Sequence, residues 1–65
     1  MISLELFLAK SIIRGNVVNG RKINSELVYE TLIRKYGTEK ADTMMKNINM
    51  ILITKGYSEL VYKFK

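Results

Sequence analysis

The stretch from Asn24 to Phe64 limits the possible folds of this chain more than any other feature. Asn24 to Tyr36 has the apolar spacing of a helix, and Gly37 ends that helix. Thr38 then begins a second helical stretch that runs to about Thr54, where Lys55 and Gly56 follow. The sequence therefore predicts two consecutive helices joined by a very short turn.

After Gly56 the periodicity changes from helical to alternating. Leu60, Tyr62 and Phe64 would point to one side of an extended segment. The residues between and beyond them, Glu59, Val61, Lys63 and Lys65, would point to the other side. This alternation predicts an edge strand from Tyr57 onward, with one face on the helices and the other toward solvent or phosphate.

The region before Gly15 predicts a further helix, Met1 to Arg14, with Ser3 as its N-cap. Leu4, Leu8 and Ile12 form an apolar stripe that is widened by Phe7, Ala9 and Ile13. So wide a surface needs cover from both later helices or from a second copy of the chain. We therefore expect a homodimer whose interface contains Leu4, Phe7 and Leu8.

The stretch from Asn16 to Ile23 allows two interpretations. Asn19-Gly20 between short apolar and basic pairs is typical of a hairpin with a type I′ turn. The alternative is one short strand, ending at Ile23, that pairs with the C-terminal strand. Both place Arg21 and Lys22 beside a turn, where they either contact phosphate or simply face solvent. The predicted fold of residues 1–65 is a single winged-helix-like α+β domain, mostly helical, with three helices and a small antiparallel β-sheet.

The composition argues against an enzyme. The 65 residues contain no cysteine and no histidine, so the best nucleophile, the commonest general base and the usual zinc ligands are missing. The six carboxylates are scattered, and the four glycines form no phosphate-binding loop. We expect no metal and no cofactor.

The net charge is +5 and the pI is about 9.7, which suit an anionic partner but also favour solubility alone. Glu5 interrupts the first apolar stretch, and no basic segment precedes it, so no signal peptide is expected. Apolar runs such as Met50 to Ile53 are far too short to span a bilayer. These features predict a cytoplasmic protein with no membrane partner.

The third helix has a polar face opposite its apolar one. Its apolar residues have core spacing, and the other side carries Lys40, Thr43, Lys46, Asn47, Met50 and Thr54. Lys46 has the chemistry to bind guanine or phosphate, Asn47 an adenine edge, and Thr43 a base or a thymine methyl group. By themselves these are also ordinary solvent-facing residues.

The chain resembles the winged helix-turn-helix family over about two-thirds of its length. The residues that carry the resemblance are Asn24 to Glu30, Tyr36-Gly37-Thr38, and Ile48 to Tyr57. The resemblance implies double-stranded DNA as the partner of a transcription regulator or recombination accessory factor. It also implies that the later helix enters the major groove with Lys40, Thr43, Lys46 and Asn47, and that the wing places Lys63 and Lys65 near phosphate.

A protein-binding module is the alternative function. Such a module would cover a partner protein with its apolar first helix, or add its edge strand to the partner's sheet. Its aromatic residues are of the kind that anchor interfaces: Phe7, Tyr29, Tyr36, Tyr57 and Tyr62. Steep weakening by salt would distinguish DNA binding from an apolar protein interface.

Overall fold

Three helices account for most of the chain in the computed structural model, which describes residues 3–64 except the side chain of Val18. Helix α1 spans Leu4–Arg14, α2 spans Ser25–Tyr36 and α3 spans Thr38–Thr54. Strands β1 (Val17–Val18) and β2 (Arg21–Lys22) lie between α1 and α2, and a 3₁₀ turn covers Ser58–Leu60. Of the predicted first helix, Met1 and Ile2 lie outside the described residues.

Capping residues set the helix boundaries where the sequence predicts them. The Ser3 hydroxyl accepts a hydrogen bond from the Leu6 amide at 3.1 Å, and the Asn24 side chain accepts one from the Leu27 amide at 2.8 Å. Both bonds satisfy amides that have no partner inside a helix. Gly37 ends α2 and immediately precedes α3, with φ 87° and ψ 162°.

The segment between α1 and α2 adopts the hairpin, the first of the two interpretations. Val17 pairs with Lys22 and Val18 with Arg21 in antiparallel register. The turn places Asn19 at φ 52° and Gly20 at φ 76°, as a type I′ turn requires at both central residues. The ladder is only two residue pairs long, so it forms no sheet that could cover the helices.

The predicted winged-helix-like α+β fold is wrong, because residues 57–64 do not form a strand. The chain makes the 3₁₀ turn and then runs extended from Val61. The Tyr62 amide donates to Asn49 Oδ1 and the Tyr62 carbonyl accepts from Asn49 Nδ2, both at 2.9 Å. A side-chain amide on α3 thus makes the two hydrogen bonds that a neighbouring strand would supply. The molecule is a small three-helix domain.

Helix α3 lies at the centre of this domain. Both α1 and α2 pack against it but hardly touch each other. Met45, Ile48 and Leu52 of α3 are fully buried. The other buried apolar residues are Ala9, Ile12, Val28, Leu32 and Ala41.

Residues 57–64, which we call the C-terminal strap, lie across α2 and α3. The Ser25 hydroxyl at the start of α2 donates to the Leu60 carbonyl at 2.6 Å. The Tyr62 ring packs against Tyr29 of α2 with centroids 4.4 Å apart. Phe64 meets both tyrosine rings edge-on, at 5.7 Å and 5.1 Å. The strap therefore covers one side of the helix pair with aromatic rings and polar anchors.

Candidate functional site

The polar face of α3 is exposed along its length. Lys40, Thr43, Lys46 and Asn47 all face solvent, and Met50 extends the same face with 66% of its surface exposed. The structure thus brings together the four residues that were predicted to contact bases. Their exposure makes them accessible to a ligand but does not select one.

Two neighbours change the chemistry of that face. Asn47 Nδ2 donates to Glu5 Oε2 of α1 at 2.7 Å, so the amide group that would recognise adenine already has a carboxylate partner. Lys40 Nζ lies 5.2 Å from the centroid of the Tyr36 ring, and Lys46 Nζ lies 5.9 Å from that of Phe64. These ring contacts are cation–π interactions at exposed sites, each worth about 0.5–1 kcal/mol.

The predicted phosphate contacts lie elsewhere, beside acidic residues. Arg21 and Lys22 line a depression with Glu26 and Glu30 at the start of α2. Lys63 lines a second depression that also contains Glu26 and Glu30. The carboxylates oppose a phosphate at both places, and neither depression includes the polar face of α3. Lys65 lies outside the described residues.

The residues predicted to form a dimer interface border an apolar groove. Leu4 is 45% exposed and Phe7 is 58% exposed, while Leu8 is half-buried. Because α1 and α2 hardly touch, the space between them is open. We call it the α1–α2 groove; it has a volume of ≈ 250 Å³ and is lined by Phe7, Leu8, Ile23, Leu27, Val28, Thr31 and Leu32.

The one polar residue of the groove is satisfied by its own helix. The Thr31 hydroxyl donates to the Leu27 carbonyl at 2.9 Å. Its hydrogen-bonding capacity is therefore used one turn earlier along α2, and an apolar ligand loses little by covering it. Sequence reasoning identified Phe7 and Leu8 on the α1 side of this groove but missed Leu27 and Thr31 on the α2 side.

A polar pair links α2 to α3 on the opposite side. The Tyr29 hydroxyl donates to the Asp42 carboxylate, and this hydrogen bond, together with burial, raises the pKa of Tyr29 to about 12. The proton thus stays on the tyrosine at neutral pH. Sequence reasoning missed both Asp42 and Asn49 because their partners are distant in the chain.

The described residues offer no arrangement for metal chemistry. Within residues 3–64, no three histidine, cysteine, aspartate or glutamate side chains lie close enough to hold a metal ion. In the same residues, no helix combines the length and hydrophobicity needed to cross a bilayer.

Comparison with known proteins adds no assignment to these surfaces. No protein-family model, no curated protein and no solved structure matches this chain. The resemblance to the winged helix-turn-helix family therefore stays a prediction from the residues alone.

Proposed function

We propose that this protein is a protein-binding accessory module of the cytoplasm, and that it binds its partner through the α1–α2 groove. The observation that carries this proposal is the exposed Phe7, at the edge of a groove that is apolar at every lining position except Thr31. Contiguous apolar surface on a small protein commonly marks a contact site. An aromatic residue beside such a groove is a typical interface anchor.

The size of the groove favours side chains of a protein over a separate small molecule. Its ≈ 250 Å³ is below the roughly 300–1,000 Å³ of ordinary small-molecule pockets. It also lacks the convergent polar groups that orient a small ligand. A partner helix that inserts its apolar stripe between α1 and α2 fits a groove whose two walls are helices.

Charges beside the groove indicate an acidic flank on that partner helix. Arg34 and Lys35 follow Thr31 by one helical turn, so they extend the same side of α2 and are exposed. At the hairpin end, Arg21 and Lys22 are offset by two glutamates. The end of the groove near Arg34 and Lys35 is therefore basic, and the hairpin end is nearly neutral. A second copy of the chain would bring its own Arg34 and Lys35, which are also positively charged. We therefore favour an acidic amphipathic helix over a homodimer as the partner.

A designed peptide tests this proposal directly. A helical peptide with leucines at i, i+3 and i+7 and flanking glutamates is titrated into the labelled protein, and backbone amide shifts are followed by NMR. We expect the largest shifts at groove residues such as Leu8, Leu27 and Thr31. Phe7→Ser should weaken binding about thirtyfold or more, since removing an interface anchor costs roughly 2 kcal/mol or more.

Met50→Ser is the matched control, because Met50 is similarly exposed but lies on α3, outside the groove. It should leave peptide affinity unchanged. Amide shifts that map to the C-terminal strap, or equal losses in both variants, would contradict the groove as the binding site. Sedimentation that shows a dimer disrupted by Phe7→Ser, together with no peptide binding, would assign the groove to a second copy instead.

Double-stranded DNA binding by the polar face of α3 is the second candidate function. The observation in its favour is that Lys40, Thr43 and Lys46 share one exposed face. If this face binds duplex DNA, Lys40→Gln with Lys46→Gln should weaken binding and make the salt slope shallower by about 2, one unit for each phosphate that is no longer neutralised. Absence of duplex binding by the wild-type protein at low salt would eliminate this candidate.

A further inference from the structure

A further depression, at the end of the domain where α1 and α3 both terminate, is strongly basic. It has a volume of ≈ 400 Å³ and is lined by Lys10, Ile13, Arg14, Lys55 and Tyr57. Lys10 and Arg14 lie one turn apart on α1, and Lys55 directly follows α3. No acidic residue is among the lining residues that the structure describes.

The positive charges are not needed to cap the two helices. At α1, the Gly15 amide donates to the carbonyls of Ser11 at 2.9 Å and Ile12 at 3.1 Å. At α3, the Tyr57 amide donates to the Leu52 carbonyl at 2.8 Å. Backbone amides thus satisfy terminal carbonyls that basic side chains would otherwise serve.

The charge balance remains positive when the helix dipoles are included. The C-terminal end of a helix acts as roughly −0.5 of a charge, so two ends offset about one of the three cations. Lys22 also reaches the end of α1, where a Cβ built on Gly15 would lie 2.6 Å from Lys22 Cε, but its charge is offset because Glu59 lines an adjoining depression together with Arg14 and Lys22. Stabilisation of the two helix ends therefore accounts for only part of this basic cluster.

We propose that this depression binds the phosphate backbone of a single-stranded nucleic acid, with a base stacked on Tyr57. Tyr57 is 37% exposed and lines the depression beside its basic residues. Proteins that bind single strands combine such a basic groove with an aromatic ring, because an unpaired base can stack where a paired base cannot. This site is separate from the α1–α2 groove, so it does not depend on that groove binding a protein.

The test measures anisotropy of a labelled oligothymidylate across a range of salt concentrations. Lys10→Gln with Arg14→Gln should weaken binding at least about tenfold and make the salt slope shallower by about 1.4, the value for two phosphates of a single strand. Arg21→Gln with Lys63→Gln removes the same charge from depressions that also contain Glu26 and Glu30, and should change affinity less than about twofold. Lys55 directly follows α3 and lines the same depression. Lys55→Gln therefore repeats the test without altering α1, and it should also weaken oligothymidylate binding.

Tyr57→Leu keeps an apolar side chain but removes the aromatic ring, so it should weaken oligothymidylate binding about fivefold or more without changing the salt slope. Equal losses for the two lysine-containing double variants would overturn the proposal, because bulk charge alone would then explain binding. Stronger binding to vesicles of anionic lipid than to the oligonucleotide would also overturn it. So would the absence of oligonucleotide binding by the wild-type protein at low salt.

Discussion

The two sides of α2 differ sharply in how they are covered. On one side, Tyr29 packs beneath the C-terminal strap, against Tyr62 and Phe64. On the other side, Leu27 and Thr31 face the open α1–α2 groove. Both sides are apolar, so hydrophobicity alone does not explain why the chain covers only one of them.

Polar anchors account for the difference. The strap is held by Ser25 at Leu60 and by the paired hydrogen bonds between Asn49 and Tyr62. Hydrogen bonds at partly buried sites favour one arrangement because leaving a donor or acceptor without a partner costs about 1–3 kcal/mol. The lining of the α1–α2 groove is apolar except for Thr31, whose hydroxyl is already bonded within its own helix. These lining residues therefore do not need a covering segment to supply hydrogen bonds. The covered side belongs to the fold, and the open side leaves the α1–α2 groove exposed.

Removal of the end of the C-terminal strap should have the largest effect. Deletion of residues 62–65 removes the Tyr62 and Phe64 rings and leaves the Asn49 amide without its partner. Burial of one large side chain contributes about 1.5–3 kcal/mol, and a domain of this size has only about 3–5 kcal/mol in total. We expect the truncated chain to be largely unfolded by circular dichroism. Melting like that of the wild type would show that the strap does not stabilise the fold.

Asn49→Ala tests the polar anchor separately from the aromatic rings. It removes both hydrogen bonds to Tyr62 and should lower the free energy of unfolding by about 1–3 kcal/mol, measured by urea denaturation. Asn47→Ala on the same helix is the control, because its partner Glu5 lies at the surface. The control should change stability by no more than about 0.5 kcal/mol. Equal effects at the two positions would refute the distinction between anchored and open sides.

The Tyr29–Asp42 pair predicts a smaller, pH-dependent effect on the covered side. The pKa of Tyr29 rises from 10.0 to about 12 in the folded protein, so the hydroxyl stabilises the fold fully below pH 10. That contribution is lost as the pH rises from 10 to about 12. Tyr29→Phe should therefore be less stable than wild type at neutral pH, and the difference should shrink through this window. A stability difference that stays constant with pH would contradict the assigned hydrogen bond.

The smallest expected effect is at the open side. Phe7 is 58% exposed, so Phe7→Ser should change the free energy of unfolding by less than about 0.5 kcal/mol. Urea denaturation measures it alongside the Asn49 variant. A loss comparable to that of a buried residue would show that Phe7 supports the isolated fold, and the groove would then be part of the core.

Local signals made the helices predictable from sequence. Ser3, Asn24, Gly15 and Gly37 act within one turn of the residues they cap, so their effect can be recognised without knowing the tertiary fold. The Asn19-Gly20 turn is equally local. The C-terminal strand was mispredicted because Leu60, Tyr62 and Phe64 alternate as a strand does. Alternation does not identify the hydrogen-bond partner, which here is the Asn49 side chain.

The candidate sites were predictable only in part, for the same reason. Exposure of Lys40, Thr43, Lys46 and Asn47 follows from helical periodicity. The bond from Asn47 to Glu5 joins residues 42 positions apart, and helical periodicity alone does not indicate it. The α1–α2 groove likewise depends on the distance between α1 and α2, which both pack against α3. Such distances are set by packing in the core rather than by the pattern of either helix.

Gly37 has a stereochemical consequence. Its φ of 87° and ψ of 162° lie in a region closed to L-residues, yet a side chain added there would meet no atom within 4 Å. L-alanine would therefore strain the backbone, whereas these backbone angles are ordinary for a D-residue, and D-alanine would also reduce the freedom of the unfolded chain. At 65 residues the chain is short enough for chemical synthesis with either enantiomer. The two synthetic proteins, with L-alanine or D-alanine at position 37, would have the same composition. They would differ only in the handedness of the residue that joins α2 to α3.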